Sequence, residues 1–227
     1  MFRKNLIIVG AIVALILFLD QAVKIWVKST FDVYDEPINL AGSWLRMLYI
    51  ENQGMAFGTT FGSGIWAKLS LSIFRIVAIG GIAWYWWKQA KENARLEFLI
   101  AVGFIFAGAI GNLIDSMFYD FIFKFDPCLV FNHLEGSGVK ANCEYFGEIE
   151  VRRQGFLFGN VVDMFQFNLT WPSWVPGLAG REVFPAIWNL ADGAITIGVV
   201  MVLIRQRTYF PKDKKVEQEQ PQTESDL

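Results

Sequence analysis

Two apolar segments of the chain carry nearly the same polar tetrapeptide. Asn-Leu-Ile-Asp occupies positions 112–115 within "AGAIGNLIDSMF", and Asn-Leu-Ala-Asp occupies positions 189–192 within "IWNLADGAITIGVV". Helical residues three positions apart lie on one face, so each Asn is expected beside its Asp on an interior face. A carboxylate inside an apolar helix is costly to bury, which makes each tetrapeptide a candidate functional element.

Asp20 and Asp163 are expected to approach the same place. Asp20 lies near the end of the first apolar segment, and Asp163 lies in "GNVVDMF", which leads back toward the last one. Two carboxylates forced together cannot both ionise, so they share a proton. Such a pair supplies a base that activates water and an acid that protonates a leaving amine, as in aspartic proteases. Asp163 and Asp192 form the best pair, because one comes from a polar segment and the other from the helix beneath it.

The supporting residues also have structural interpretations. Asp20 and Lys24 are four positions apart on one helix face, so they would form an ion pair that tethers a helix end. Asp115 and Asn112 would bond a loop or cap backbone groups at the end of a helix. Both interpretations stay open beside direct participation in chemistry.

Asp192 is harder to explain structurally. Its own apolar segment contains no basic residue before Arg205, so its burial calls for a partner or a substrate. Arg75, near the middle of the second apolar segment, is a possible counter-charge, although snorkelling or helix packing would explain it equally well.

Other kinds of catalytic or metal site are not indicated. The only histidine, His133, lies in a polar stretch where a surface position is expected. Cys128 and Cys143 lie in the same stretch without ligand spacing to a histidine, so a zinc site is not expected. A disulfide between them and two free thiols are equally compatible with the sequence. No cofactor is expected.

Composition indicates a small membrane protein that crosses the bilayer several times. The chain has 227 residues, of which 54% are hydrophobic and 19% are charged, and its net charge is −2. Soluble domains are usually less apolar and more charged. The charge gives no field that attracts nucleic acid, so nucleic acid is not an expected partner.

Four segments are long and apolar enough to cross a bilayer core of about 30 Å. The expected spans are 5–27, 65–87, 97–118 and 184–204. Lys and Arg cluster before the first span, after the second and after the fourth, which predicts cytoplasmic N- and C-termini. The predicted fold class is therefore a mainly α membrane protein with four transmembrane helices.

The connecting segments are assigned by this orientation. Segments 28–64 and 119–183 are expected outside the cytoplasm, where strand-like and aromatic stretches would form a small β and amphipathic platform on the membrane. Within them, 120–155 is expected to be an extra loop. Residues 1–210 would form one domain, followed by a disordered cytoplasmic tail at 211–227.

Helical rise gives a depth for each polar residue. At 1.5 Å per residue, Asp20 and Asp115 lie roughly 22 Å and 28 Å above the inner surface. Asn189 and Asp192 lie roughly 8 Å and 12 Å below the outer surface. The acids are thus expected to converge in the outer leaflet, which favours a catalytic site over a small proton-coupled carrier using Asp20, Asp115 and Asp192. A non-enzymatic assembly factor is a third possibility.

Five ordered motifs give the chain a resemblance to lipoprotein signal peptidase, or signal peptidase II. They cover nearly everything outside the 120–155 stretch and the tail. The motifs are "DQAVK" at 20–24, "ENQGMAFG" at 51–58, "GAIGNLIDS" at 108–116, "GNVVDMF" at 159–165 and "FPAIWNLADGAITIG" at 184–198.

The resemblance implies a four-span aspartyl protease of the bacterial inner membrane with its active site facing the periplasm. Its substrates would be diacylglyceryl-modified prolipoproteins, cut just before the lipidated cysteine, and membrane lipid and globomycin-type cyclic lipopeptide inhibitors would be further partners. The implied catalytic residues are Asp163 and Asp192. The implied supporting or substrate-binding residues are Asp20, Lys24, Asn52, Gly54, Ala56, Asn112, Asp115, Asn189 and Ala191.

The sequence departs from the family pattern in two places. The family usually has Arg directly after the aspartate of the third-span motif, where this chain has Ser116. The 120–155 stretch is also longer than in the family's short form, which would add a lid or a partner surface. Neither departure changes the two implied catalytic positions.

Overall fold

The computed structural model describes residues 2–53 and 65–210. Gly54 and Ala56, both expected to support the site, lie outside the described residues, as does the tail at 211–227. The predictions for these positions stay predictions.

Four long helices form the main body of the described structure. The segments are rich in Leu, Ile, Val, Ala and Phe, which pack well in a helical bundle or against lipid. The helices are α1 (Phe2–Thr30), α2 (Ile65–Lys91), α3 (Leu96–Ile122) and α4 (Leu190–Tyr209).

Within residues 2–53 and 65–210, three helices are long and apolar enough to cross a membrane. They contain the candidate spans Phe2–Thr30, Lys68–Lys91 and Leu96–Ile122. The first three spans expected from sequence fall within α1, α2 and α3. The chain therefore has the helices of a membrane protein, together with small sheets.

The fourth expected span, 184–204, is wrong in its boundaries. Helix α4 begins at Leu190, because Ile187–Trp188 forms a short strand and Asn189 caps the helix. At 20 residues α4 is long enough for a candidate span, but with Asp192, Arg205 and Arg207 in it, its composition does not match that of the three candidate spans. The depths calculated for Asn189 and Asp192 are wrong for the same reason, since they counted helical rise from position 184.

Helix α3 is the centre of the bundle and packs against all three other helices. Glycines permit its closest approaches. A Cβ on Gly111 would lie 2.7 Å from the Asp20 carboxylate of α1 and 3.0 Å from Ala191 of α4. The small residues therefore bring the polar positions of three helices together.

An antiparallel sheet covers one end of the bundle, with strand order β1-β2-β5-β6. The sequence prediction of strand-like stretches within segments 28–64 and 119–183 is confirmed for the residues that the structure describes. The strands are β1 (Ile38–Ala41), β2 (Leu45–Asn52), β5 (Val161–Phe167) and β6 (Ile187–Trp188).

The two faces of strands β2 and β5 have different neighbours. Met47 and Tyr49 of β2 lie with Val162 and Met164 of β5 in a hydrophobic core against α1 and α3. Successive side chains in a strand point to opposite faces, so Asp163 points away from this core. The sheet thus presents Asp163 on the opposite face.

Most of the 120–155 stretch forms a small unit of its own, but residues 120–122 are the last residues of α3, so the expected extra loop begins after them. Strands β3 (Lys140–Cys143) and β4 (Gly147–Glu150) form a hairpin, and a disulfide joins Cys128 to Cys143. Of the two alternatives left by the sequence, the structure shows the disulfide. Arg152 fixes the unit to α3 through a buried bidentate ion pair with Asp120, with nitrogen–oxygen distances of 2.8 Å.

Candidate active site

Asp163 is held on β5 by two asparagine side chains. Residues Ile50, Glu51 and Asn52 of β2 pair with Asp163, Val162 and Val161 of β5, which brings Asn52 beside Asp163. The Asn52 amide donates to Oδ2 of Asp163, and the Asn189 amide donates to Oδ1 at 2.6 Å. Asp163 is only 2% exposed, so these neutral donors replace the water that its carboxyl group has lost.

Asp192 lies in the first turn of α4 and takes part in a capping box with Asn189. The Asn189 side-chain oxygen accepts from the Asp192 backbone N–H at 2.9 Å, and Oδ2 of Asp192 accepts from the Asn189 backbone N–H at 3.4 Å. Free N–H groups and the dipole at a helix N-terminus favour a carboxylate there. Since Asn189 also bonds Asp163, one residue fixes both candidate catalytic groups.

Asn112 of α3 links the pair to a buried cation. Its amide nitrogen donates to Oδ1 of Asp192 at 2.8 Å, while its oxygen accepts from Nζ of Lys24 at 2.9 Å. The same oxygen accepts from the Asn189 amide at 3.1 Å. Asn112 and Asn189 thus both bond groups of the carboxylate pair.

Lys24 forms two buried ion pairs. Its Nζ lies 3.1 Å from Asp20 and 2.8 Å from Asp115, and all three side chains are at most 1% exposed. The ion pair expected from the Asp20–Lys24 spacing is confirmed. A buried charge needs a complete set of partners, and here one cation faces two carboxylates.

The two carboxylates paired with Lys24 also bind backbone next to the candidate catalytic residues. Oδ1 of Asp20 accepts from the Ala191 N–H at 2.9 Å, so it satisfies an otherwise unpaired donor in the first turn of α4. Oδ2 of Asp115 accepts from the Val162 N–H at 3.2 Å. This ion cluster therefore fixes the chain directly before Asp163 and directly before Asp192.

Sequence reasoning missed Gln21. Its amide nitrogen donates to Asp115 at 2.9 Å, to Asp20 at 3.1 Å and to the Gly111 carbonyl at 3.2 Å, while its oxygen accepts from the Tyr119 hydroxyl. The available signal was its position inside the "DQAVK" motif, directly after an aspartate expected at the site.

Burial and the neighbouring Asp192 carboxylate raise the pKa of Asp163 from 3.8 to about 7. Lys24 and the amides of Asn189 and Asn52 oppose this shift, because they favour the ionised form. Near neutral pH, Asp163 can therefore hold a proton. Such a site can combine a protonated acid with an adjacent carboxylate base.

Two residues considered in the sequence lie at the edge of this network. Ser116 is buried, and its carbonyl oxygen accepts from the Gly159 N–H at 3.0 Å. Arg75 of α2 is half-buried and interacts electrostatically with Asp192, Asp115 and Asp163. Both interpretations of Arg75 from the sequence stay predictions.

Metal ligands are not grouped in the described part of the chain. Among residues 2–53 and 65–210, no three His, Cys, Asp or Glu side chains are placed to hold a metal ion together. His133 lies in the 120–155 stretch, where it packs edge-on against Phe146.

Comparison with known proteins identifies the family. A family model described as signal peptidase (SPase) II matches residues 12–207. The lipoprotein signal peptidase of Porphyromonas gingivalis is 36% identical over 203 residues, which cover 87% of this chain and 81% of that protein. The lipoprotein signal peptidase of Amoebophilus asiaticus is 32% identical over 224 residues, which cover 95% of this chain and 84% of that protein.

A solved structure shares the fold. A bacterial membrane enzyme determined by the in meso method superposes with a TM-score of 0.57 at 23% identity, over 92% of this chain and 94% of its own. Similarity of sequence and fold thus extends across the helices and the sheet that carry the site. The chain belongs to the signal peptidase II family.

Proposed function

We propose that the chain is an aspartic endopeptidase that removes the signal peptide from diacylglyceryl-modified prolipoproteins. The observation that carries the proposal is that one side chain, that of Asn189, bonds both Asp163 and Asp192. Its side-chain amide donates to Asp163, and its side-chain oxygen accepts from the backbone of Asp192. With the family established, this is the pair of groups best placed for peptide hydrolysis.

The two aspartates take different roles in the proposed reaction. Asp192, half-buried and bonded by Asn112, is the base that removes a proton from water. The water oxygen bonds to the carbonyl carbon just before the lipidated cysteine, and Asp163 gives its proton to the carbonyl oxygen. Collapse of this tetrahedral intermediate breaks the C–N bond. Asp192 gives its proton to the leaving amine, and one hydroxyl proton of the intermediate returns to Asp163 as the carboxylic acid forms.

Asp20, Lys24 and Asp115 support the site without reacting themselves. Their charges are paired within the cluster, and their remaining bonds reach the backbone of Val162 and Ala191. This arrangement counts against the carrier alternative, since Asp20 and Asp115 are already engaged by a cation. Asn52 contributes through its bond to Asp163, and the supporting roles of Gly54 and Ala56 rest on the family resemblance alone.

Membrane placement is part of the proposal. We propose that all four helices span the bacterial inner membrane, with α4 as the shortest span, both termini in the cytoplasm and the sheet on the periplasmic side, as the Lys and Arg bias of the connections predicts. The Cys128–Cys143 disulfide supports this orientation, because disulfides persist in oxidising compartments. The diacylglyceryl chains would lie between the spans in the outer leaflet, and globomycin-type cyclic lipopeptides would compete for that position.

Cleavage of a lipidated prolipoprotein by purified protein tests this function. Asp163→Asn and Asp192→Asn are each expected to lower kcat by at least about a thousandfold, since each removes a proton-transfer group. Glu36→Gln, a change at an exposed carboxylate, is the control and should retain full activity. Full activity in either aspartate variant would exclude the pair, and efficient cleavage of a substrate without the diacylglyceryl group would exclude positioning by lipid.

A further inference from the structure

The buried face of β2 ends on a charged residue. Met47, Tyr49 and Glu51 alternate along the strand, and all three are buried. Met47 and Tyr49 belong to the hydrophobic core against α1 and α3, so a carboxylate at the next position of this face is costly to bury. Glu51 therefore needs a partner of opposite charge.

Lys28, near the end of α1, is that partner. Its Nζ donates to Oε1 of Glu51, and the Tyr49 hydroxyl donates to the same oxygen. The ammonium also lies 3.4 Å from the Tyr49 hydroxyl oxygen and 5.1 Å from the centre of the Phe123 ring. Lys28 follows Lys24 by four residues, so α1 contacts the buried ion cluster with one lysine and the sheet with the next.

The Lys28–Glu51 ion pair fixes a position better than an apolar contact would. A buried ion pair contributes little net stability, because the cost of removing both charges from water offsets their attraction. Charge-assisted hydrogen bonds, however, set the distance and direction between two groups, whereas apolar contacts are non-directional. The pairing of β2 with β5 shifts register between Met47 and Ile50, so the pairing before the shift does not fix the last residues of β2. The ion pair supplies a fixed point for them.

Asn52 lies next to this fixed point, on the other face of β2. Its amide donates to Oδ2 of Asp163, while the neighbouring Glu51 side chain points to the core. A small shift of the strand end would therefore break the bond to Asp163. Resting on the proposed function, we propose that Lys28 and Glu51 are positioning residues that fix the end of β2 and so keep the Asn52 amide on Asp163.

The cleavage rates of a set of variants test the inference. The apolar variant combines Lys28→Met, Tyr49→Phe and Glu51→Leu, which remove both charges and the hydroxyl group together and suit the surrounding core. It should fold with a Tm close to that of wild type, while its kcat falls about tenfold and its KM changes little, because the strand end is no longer fixed. Asn52→Ala should cause a similar fall in kcat. Glu148→Gln removes an exposed ion pair of the β3–β4 hairpin and should retain wild-type kcat.

The decisive comparison adds Asn52→Ala to the apolar variant. If the ion pair acts through Asn52, the combined variant should be no slower than Asn52→Ala alone, since effects transmitted through one contact are not additive. A further tenfold fall would overturn the inference, as would wild-type kcat in the apolar variant or in Asn52→Ala. Lys28→Met with Glu51→Gln is a second neutral variant in case the first does not fold, because its new amide can still accept from the Tyr49 hydroxyl.

A second measurement does not depend on cleavage. The bond from Asn52 favours the ionised form of Asp163, so its loss should raise the pKa of Asp163 above about 7. The decrease in Tm that ionisation of Asp163 causes should then extend to higher pH in the apolar variant, while the other charges that act on this group, Asp192, Lys24 and Arg75, are unchanged. A wild-type pH dependence of Tm would overturn the inference. Failure of the proposed function is distinguishable, because wild-type protein itself would then leave the lipidated substrate uncut.

Discussion

At the scale of single residues, the carboxyl groups of the two candidate catalytic aspartates are bonded by neutral amides. Asn52, Asn112 and Asn189 all bond the carboxyl groups of Asp163 or Asp192, whereas the buried ammonium of Lys24 contacts Asp20 and Asp115. An amide can bond a carboxyl group in either protonation state, and although it favours the ionised state it does so less than a direct ion pair would. This separation allows Asp163 to gain and lose a proton.

The pKa of Asp163 predicts a pH-dependent effect on stability. Its pKa is about 7 in the folded protein against 3.8 ordinarily, so the folded state binds more protons between these values. Stability from this group is therefore present below pH about 4 and is lost as the pH rises to about 7. Asp163→Asn removes the ionisable group and should stabilise the protein above pH 7, by a few kcal/mol at most.

Thermal unfolding in detergent at several pH values checks this expectation. The Tm difference between Asp163→Asn and wild type should grow across the interval and then level off. Glu36→Gln should show no such trend, because its carboxylate is exposed. A constant Tm difference at all pH values would contradict a raised pKa of Asp163.

At the scale of elements, two similar tetrapeptides have different local structures. Asn112 and Asp115 lie inside α3, as the spacing predicted, whereas Asn189 precedes α4 and caps it. The sequence contained the capping signal, since Asn189 has Asp192 three positions later. The apolar residues at 184–188 concealed this signal, because a short apolar strand and a helix cannot be distinguished by hydropathy alone.

The polar residues of the site were predictable individually, but several of their contacts were not. The Asp20–Lys24 pair followed from spacing within one helix. The bonds from Asp20 to Ala191 and from Asp115 to Val162 join residues far apart in the chain, so they depend on how α3 and the sheet pack. Gln21 was missed for this reason, as its partners lie on α3.

Gly108 sets the distance between α3 and α4. A Cβ at this position would clash with the Ala191 carbonyl oxygen and lie 2.7 Å from Ile195. Gly108→Ala would push α4 away from α3 and disturb the Asp192–Asn112 bond, because a backbone oxygen cannot move aside as a side chain can. We expect a loss of at least about 2 kcal/mol in stability, and a fall of about tenfold or more in kcat.

Gly80→Ala is the matched control in α2, since a Cβ there would meet no atom within 4 Å. It should leave kcat unchanged. Thermal unfolding and the cleavage rate of the lipidated substrate measure both variants. Wild-type activity and Tm in Gly108→Ala would show that the α3–α4 contact tolerates another methyl group.

At the scale of the whole molecule, the 120–155 unit shows what sequence patterns could not supply. Its polar composition indicated only a loop, whereas the structure forms a hairpin attached through the Asp120–Arg152 ion pair. Asn132 adds bonds to Arg152 and Asn160, and Gln53 bonds the carbonyl groups of Phe131 and His133. These partners are distant in sequence, so no local pattern predicts the unit.

The same contacts predict the effect of removing the disulfide. Cys128→Ser with Cys143→Ser leaves the Asp120–Arg152 and Asn132 contacts intact, so cleavage activity should stay within about twofold of wild type. The hairpin itself should loosen, because a disulfide closing a loop of 15 residues contributes about 3 kcal/mol in the chain-entropy model. Limited proteolysis should cut the variant within 134–148 faster than wild type, while the helices remain intact.

In the wild-type protein, the redox state of Cys128 and Cys143 also reports the membrane orientation. In protein purified from cells without reductant, Cys128 and Cys143 should resist a thiol-specific mass tag and accept two tags after reduction and unfolding, as expected for a disulfide formed outside the cytoplasm. Arg152→Met is the comparison variant for the double cysteine variant. It breaks the buried ion pair with Asp120 and leaves that carboxylate uncompensated, so it should lower Tm more than loss of the disulfide does. If the double cysteine variant lost cleavage activity but kept the wild-type Tm, the hairpin would act directly on substrate. Free thiols in the wild-type protein would contradict the periplasmic placement of the 120–155 unit.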